Sequence, residues 1–218
     1  YIRRGACVVN DTLVLASYMC PFVEYVDLKT NNIEVVEIPF SSGGTVNAFS
    51  YNDGIVLVGK NGEICLLDNN KQVIRTIIVE KDVQHIHEEL CTFENAVLIN
   101  DVVVIFGAIN NKIYIYDLRK QKTEIIKFET QMREKMIKAF WYDFMIIGLH
   151  DLTCIDFFSL WDGKKYRFDT KKGTYYEIEE QLIYNDNFFA ELYINSMQNG
   201  MCHEGIMGFG LMEFLKNI

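Results

Sequence analysis

A rich polar cluster lies between residues 82 and 89, which include Asp82, Gln84, His85, His87, Glu88 and Glu89. In an extended segment His85 and His87, two residues apart, point to the same side of the chain. Imidazoles followed by carboxylates are donor types that zinc accepts, but a zinc site needs three or four ligands, and no third ligand is specified by spacing. No metal is therefore assigned, and the run reads as a polar loop able to hydrogen-bond a ligand. A second stretch, residues 149–165, carries His150, Asp151 and Trp161, with His150 and Asp151 the natural partners of the first loop. His203 and Glu204 form a further pair near the end of the chain.

Carboxylates are the other candidates. A carbohydrate-active hydrolase needs two carboxyl groups about 5–10 Å apart, one as acid and one as nucleophile or base. Most aspartates here recur at regular positions, which marks them as scaffold. Asp156, set among apolar neighbours, and Glu191, within the run 188–193, break that regularity and are the acids that such a reading would place in a central channel. There is no Gly-x-Ser-x-Gly elbow, no glycine-rich phosphate loop, no His-Glu-x-x-His and no cysteine beside a base. No catalytic residue and no cofactor are assigned.

The elements that hold these residues follow from a repeated phrase. Asn10-Asp11, Asn52-Asp53, Asn100-Asp101, Tyr142-Asp143 and Asn185-Asp186 each stand between apolar runs, and the aspartates are separated by 42, 48, 42 and 43 residues. Asn and Asp tolerate positive φ and bond their own backbone, so these are hairpin turns. A second turn follows in four of the units, beginning at Asp27, Asp68, Asp117 and Asp169. The last run of each unit alternates apolar and polar residues, as an outer strand does, while the earlier runs are continuously apolar, as strands buried on both faces are.

Four strands repeated every ~43 residues form the blade of a β-propeller. The phrases resemble kelch-like and other short-blade propellers over nearly the whole chain, although the glycine doublet Gly43-Gly44 lies between units and Trp161-Asp162 falls outside the repeat. The expectation is one all-β domain, 1–218, in units of about 1–40, 41–80, 81–129, 130–180 and 181–218. Five antiparallel four-stranded blades are expected. A chain forming most of a six- or seven-bladed ring is the alternative, because the fifth unit shows too few strands.

The repeat arithmetic also places the enlarged loops. The 48-residue interval points to the link 80–93. From hairpin Asp to third-strand Asp the distance is 16, 15 and 16 residues, then 26 in the fourth unit, which points to an insertion at 149–165. Blade-to-blade links and the turns between second and third strands share one face of a propeller, so both enlargements are expected there. Long loops on a rigid scaffold are where binding residues usually sit.

The chain has 21 basic and 30 acidic residues, a net charge of −9, which argues against a nucleic-acid footprint. Half of the residues are hydrophobic, enough for a large core. The cysteines at 7, 20, 65, 91, 154 and 202 lie at no zinc-knuckle spacing and read as reduced core thiols. No apolar stretch is long enough for a membrane span, and no long apolar run follows Arg3-Arg4 as in a signal peptide. A cytoplasmic location is the expectation, with room for a segment upstream of Tyr1 or a removed leader. Oligomeric state is not written in the residues. The function expected is a non-catalytic module presenting a protein- or glycan-binding face. A hydrolase or lyase with channel acids is the alternative, and a structural repeat within a larger polypeptide is a third reading.

Overall fold

The computed structural model describes residues 3–41, 43–80, 93–107, 112–128, 144–159 and 164–179. These hold sixteen strands and, among the described residues, no helix. The first sheet comprises β1 (Arg3–Val9), β2 (Thr12–Ser17), β3 (Phe22–Asp27) and β4 (Ile33–Glu37). The second comprises β5 (Thr45–Tyr51), β6 (Gly54–Gly59), β7 (Glu63–Leu67) and β8 (Val73–Ile78). The third is β9 (Phe93–Ile99), β10 (Val102–Gly107), β11 (Lys112–Asp117) and β12 (Lys122–Lys127). The fourth is β13 (Phe144–Leu149), β14 (Cys154–Ser159), β15 (Lys164–Asp169) and β16 (Thr174–Glu177). Every sheet is a meander whose spatial order is its chain order, antiparallel throughout. All sixteen strands belong to the unit Tyr1–Ile178, and the expected fifth blade lies outside the described residues.

Strand alternation explains the continuous apolar runs. Side chains of a strand point alternately to opposite faces. On β6, Ile55 and Leu57 join a core shared with the first sheet, while Val56 and Val58 join a core shared with the third. On β10, Val103 and Ile105 turn toward the second sheet, and Val104 and Phe106 toward the fourth. The strands β6 and β10 thus face a core on both sides and are apolar along their whole length. The cores between blades are closed by large side chains such as Phe93, Tyr114, Phe128 and Phe157, all fully buried. Around Phe128, the rings of Phe144, Tyr166 and Tyr175 stand within 5.1 Å, centroid to centroid. The outermost strands differ: β4, β8, β12 and β16 are largely exposed, with Ile33, Val35, Ile74 and Ile78 facing solvent.

The expected hairpins form with the expected chemistry. Asn10, Asp11, Asn52 and Asn100 all adopt positive φ between 44° and 53°, the left-handed values that a two-residue turn demands. The fourth blade departs from the spacing-based expectation. Its first strand begins at Phe144, so Asp143 precedes the sheet, and its first hairpin turn is 150–153. Asp151 therefore stands where Asp11, Asp53 and Asp101 stand in the other blades. Its carboxylate Oδ1 accepts from the Thr153 amide at 2.6 Å and the Cys154 amide at 2.8 Å, which closes the turn. The added length falls in the connection between β12 and β13, residues 128–143, and not inside the blade. The enlarged link between the second and third blades, residues 79–92, is where the spacing put it.

Candidate binding site

A cavity opens where the third and fourth blades meet, at the end of the strands that carries the β9–β10, β11–β12 and β15–β16 turns. Its volume is about 590 Å³. Ile99, Val102 and Ile115 supply an apolar floor, and Asn100, Asp101, Thr153 and Thr170 a polar wall. Arg119, Lys120, Lys122, Lys171 and Lys172 line it as cations, against the carboxylates of Asp101, Asp117 and Glu124.

The walls are held by local chemistry. Asp117 Oδ1 accepts hydrogen bonds from the amides of Arg119 at 3.0 Å and Lys120 at 2.7 Å, which folds the β11–β12 turn back on its own strand. Asp169 does the same for Lys171 and Lys172 in the fourth blade. Amide donation to a carboxylate favours the charged form. Hydrogen bonds led by the Lys120 amide hold Asp117 below its ordinary range, while Asp169 is held down chiefly by the Lys172 side chain. Thr170 donates its amide and its hydroxyl to the Thr153 carbonyl, tying two turns of one blade together. Across the blade boundary, the Asn100 side-chain amide donates to the Leu152 carbonyl at 3.3 Å. Asp101 is engaged twice: the Tyr51 hydroxyl of the neighbouring blade donates to Oδ1 at 2.9 Å, and Arg119 Nε lies 2.7 Å from Oδ2.

The residues singled out by sequence do not assemble here. Gln84, His85, His87, Glu88, Glu89, Trp161 and Glu191 lie outside the described residues. His150 and Asp151 occupy the β13–β14 turn, at the strand end opposite to the one that Ser159 and Lys164 present to residues 160–163. They therefore do not share the link face expected of them. Asp156 is buried on β14, and both its oxygens are taken by one guanidinium: Arg167 Nε to Oδ1 at 2.7 Å and a terminal nitrogen to Oδ2 at 2.9 Å. A carboxylate forked in this way is a structural partner, not a free acid. No group of three or more metal-type donors occurs among the described residues.

Sequence reasoning passed over the basic turns because it treated the second turn of each blade as scaffold. The signal was present as an excess. The first two blades carry one lysine each between the turn Asp and the next strand, Lys29 and Lys71, whereas the third carries Arg119 and Lys120 with Lys122 following, and the fourth Lys171 and Lys172.

No protein-family model matches the sequence, and no curated protein is significantly similar to it. Solved structures do resemble the fold. The computationally designed protein Ika8 superposes with a TM-score of 0.55 at 9% identity, over 77% of this chain and 45% of its own. Apo AztD from Citrobacter koseri gives 0.52 at 13% identity, over 82% of this chain and 47% of its own. The extracellular domain of a one-component system from B. thetaiotaomicron gives 0.54 at 12% identity, over 82% of this chain and 22% of its own. The chain thus spans less than half the length of each of these three. Four-stranded meanders stacked face to face, with these likenesses, define the class as an all-β, propeller-like repeat protein. No helix among the described residues is long and apolar enough to cross a membrane.

Proposed function

We propose that this chain is a non-catalytic binding module, with the cleft between its third and fourth blades as the site for a protein or glycan ligand. The observation that carries the reading is the cleft itself, about 590 Å³ and walled by turns from two rigid sheets. That volume falls within the range of sites that enclose small ligands or the tip of a larger one. Three of the described acids already have partners, which supports this reading: Asp101 meets Tyr51 and Arg119, Asp117 its turn amides, and Asp156 the Arg167 guanidinium.

Glycan and peptide arrays followed by hydrogen exchange test it. Ligands selected on the arrays are expected to slow amide exchange at 117–124 and 170–174 and to be recovered chemically unchanged. Protection confined to other segments would move the site. Cleavage of a selected ligand would make the protein an enzyme.

A further inference from the structure

We propose that the cleft is selective for ligands bearing two or more oxyanion groups, whether carboxylate, phosphate or sulfate. This rests on the binding reading above and names the chemistry of its ligand. In the first two blades the turn cation has an acid of its own: Lys29 pairs with Asp11, and Lys71 with Glu34. Each of these turns thus offers one cation matched by one acid, Asp11 of the same blade or Glu34 on β4 of the neighbouring one.

The third and fourth blades break this rule. Lys122 and Lys171 both line the cleft, and neither has an acidic partner among the described residues. Arg119, Lys120 and Lys172 do touch Asp101, Asp117 and Asp169, but their side chains are about three-quarters exposed, at 77%, 79% and 75%. The acids beneath them are only 25%, 20% and 13% exposed, so each cation keeps its acid and turns its remaining N–H donors toward solvent, where a ligand can share them. Five cations from two blades therefore border one concavity, against the three carboxylates of Asp101, Asp117 and Glu124, on a chain whose net charge is −9. The chain as a whole repels anions at long range, and screening confines that repulsion to roughly 10 Å at moderate salt. Within the cleft the cations outnumber the carboxylates by two. Cations rising from two separate turns suit a ligand with separated negative groups, and the Ile99, Val102 and Ile115 floor suits an apolar body between them.

Titration calorimetry with three probes tests the assignment: pyrophosphate, citrate and sucrose octasulfate, with erythritol as the neutral control. Saturable one-to-one heat is expected from at least one anion and none from erythritol, and the anion that binds distinguishes phosphate, carboxylate and sulfate sources. The double variant K122A/K171A, altered at two exposed side chains and checked for native circular dichroism, is expected to bind about tenfold more weakly. Raising salt from about 20 to 200 mM is expected to weaken wild-type binding in the same direction. Absence of saturable heat from all three anions overturns the proposal, as does equal affinity in K122A/K171A. If a neutral ligand protects the cleft from exchange while the anions do not bind, the charge assignment fails and the binding reading stands. If nothing engages the cleft, both fall.

Discussion

Asp156 and Arg167 face each other across β14 and β15, each at most 8% exposed in its side chain, and their fork removes two charges from solvent at once. Burying an ion pair brings little net stability, but removing one partner strands the other. Asp156→Asn is expected to cost about 3–5 kcal/mol in urea denaturation, and the double replacement Asp156→Leu with Arg167→Met far less. A small loss in the single variant would show that water already reaches the guanidinium. Tyr25 presents the opposite case. Its hydroxyl is buried with no hydrogen-bond partner, beside a cavity of about 80 Å³ lined by Asn10, Thr12, Asp53 and Asp68. Burial, reinforced by nearby acidic groups, raises its pKa, so it stays a neutral phenol. Since an unsatisfied buried hydroxyl is destabilising by about 1–3 kcal/mol, Tyr25→Phe is expected to leave stability unchanged or higher. A clear loss would reveal a bridging water. Burial also pushes the Cys7 and Cys65 thiols up to about 11, so both are expected to react slowly with a disulfide reagent at neutral pH and quickly once unfolded.

At the scale of elements, the turn aspartates are the repeated device. Asp27, Asp117, Asp151 and Asp169 each accept amides of their own turn, and each is held below the ordinary carboxylate pKa. Because the folded-state pKa is depressed, the stabilisation is fully present above the unfolded value near 3.9 and is lost as pH falls through the folded value. Thermal melts are therefore expected to be flat in this contribution from neutral pH down to about 5, then to fall. Asp117→Ala is expected to cost about 1 kcal/mol at pH 7 and to flatten that acid limb. These turns were legible because Asp and Asn declare themselves in short loops between apolar runs. The left-handed residues Lys71 and Gln121, φ 66° and 56°, were not, since neither type prefers that region and each closes its turn by donating its amide to the carbonyl of Asp68 or Asp117. The fourth hairpin was misread for a similar reason. Tyr142-Asp143 imitated the phrase at the repeat distance, whereas His150-Asp151, which makes the turn, lacks the Asn that announced it elsewhere.

Over the whole molecule, the propeller-like architecture was readable because an inner blade must be apolar on both faces, and β6, β10 and β11 are. The candidate site was not, because it belongs to no single segment. The basic turns of β11–β12 and β15–β16 are about fifty residues apart in sequence and become one wall only when two blades stack. Stacking itself depends on close backbone approach at the inner strands. A Cβ added to Gly5 on β1 would sit 2.6 Å from the Ala48 amide nitrogen and 2.8 Å from the Asn47 carbonyl carbon on β5. Backbone cannot yield as a side-chain tip can, so Gly5→Ala is expected to destabilise by about 1–3 kcal/mol, read by thermal unfolding. An unchanged melting temperature would show that the two blades slide apart without cost.

The chain order of each sheet has one more consequence. Because every described blade is a single meander, none of these four borrows a strand from a distant part of the chain. A cut in the short connection 38–44 would leave both flanking sheets with all four of their strands. The two pieces would then be held by side-chain contacts, chiefly the core that joins Val14 and Val23 to Leu57 and Leu67, with the Lys71–Glu34 pair at its edge. Such a molecule is modular in the sense that matters to gene duplication. Whole blades can be copied, lost or exchanged as continuous stretches of coding sequence, and the bookend blades change while the pattern of pairing within each does not.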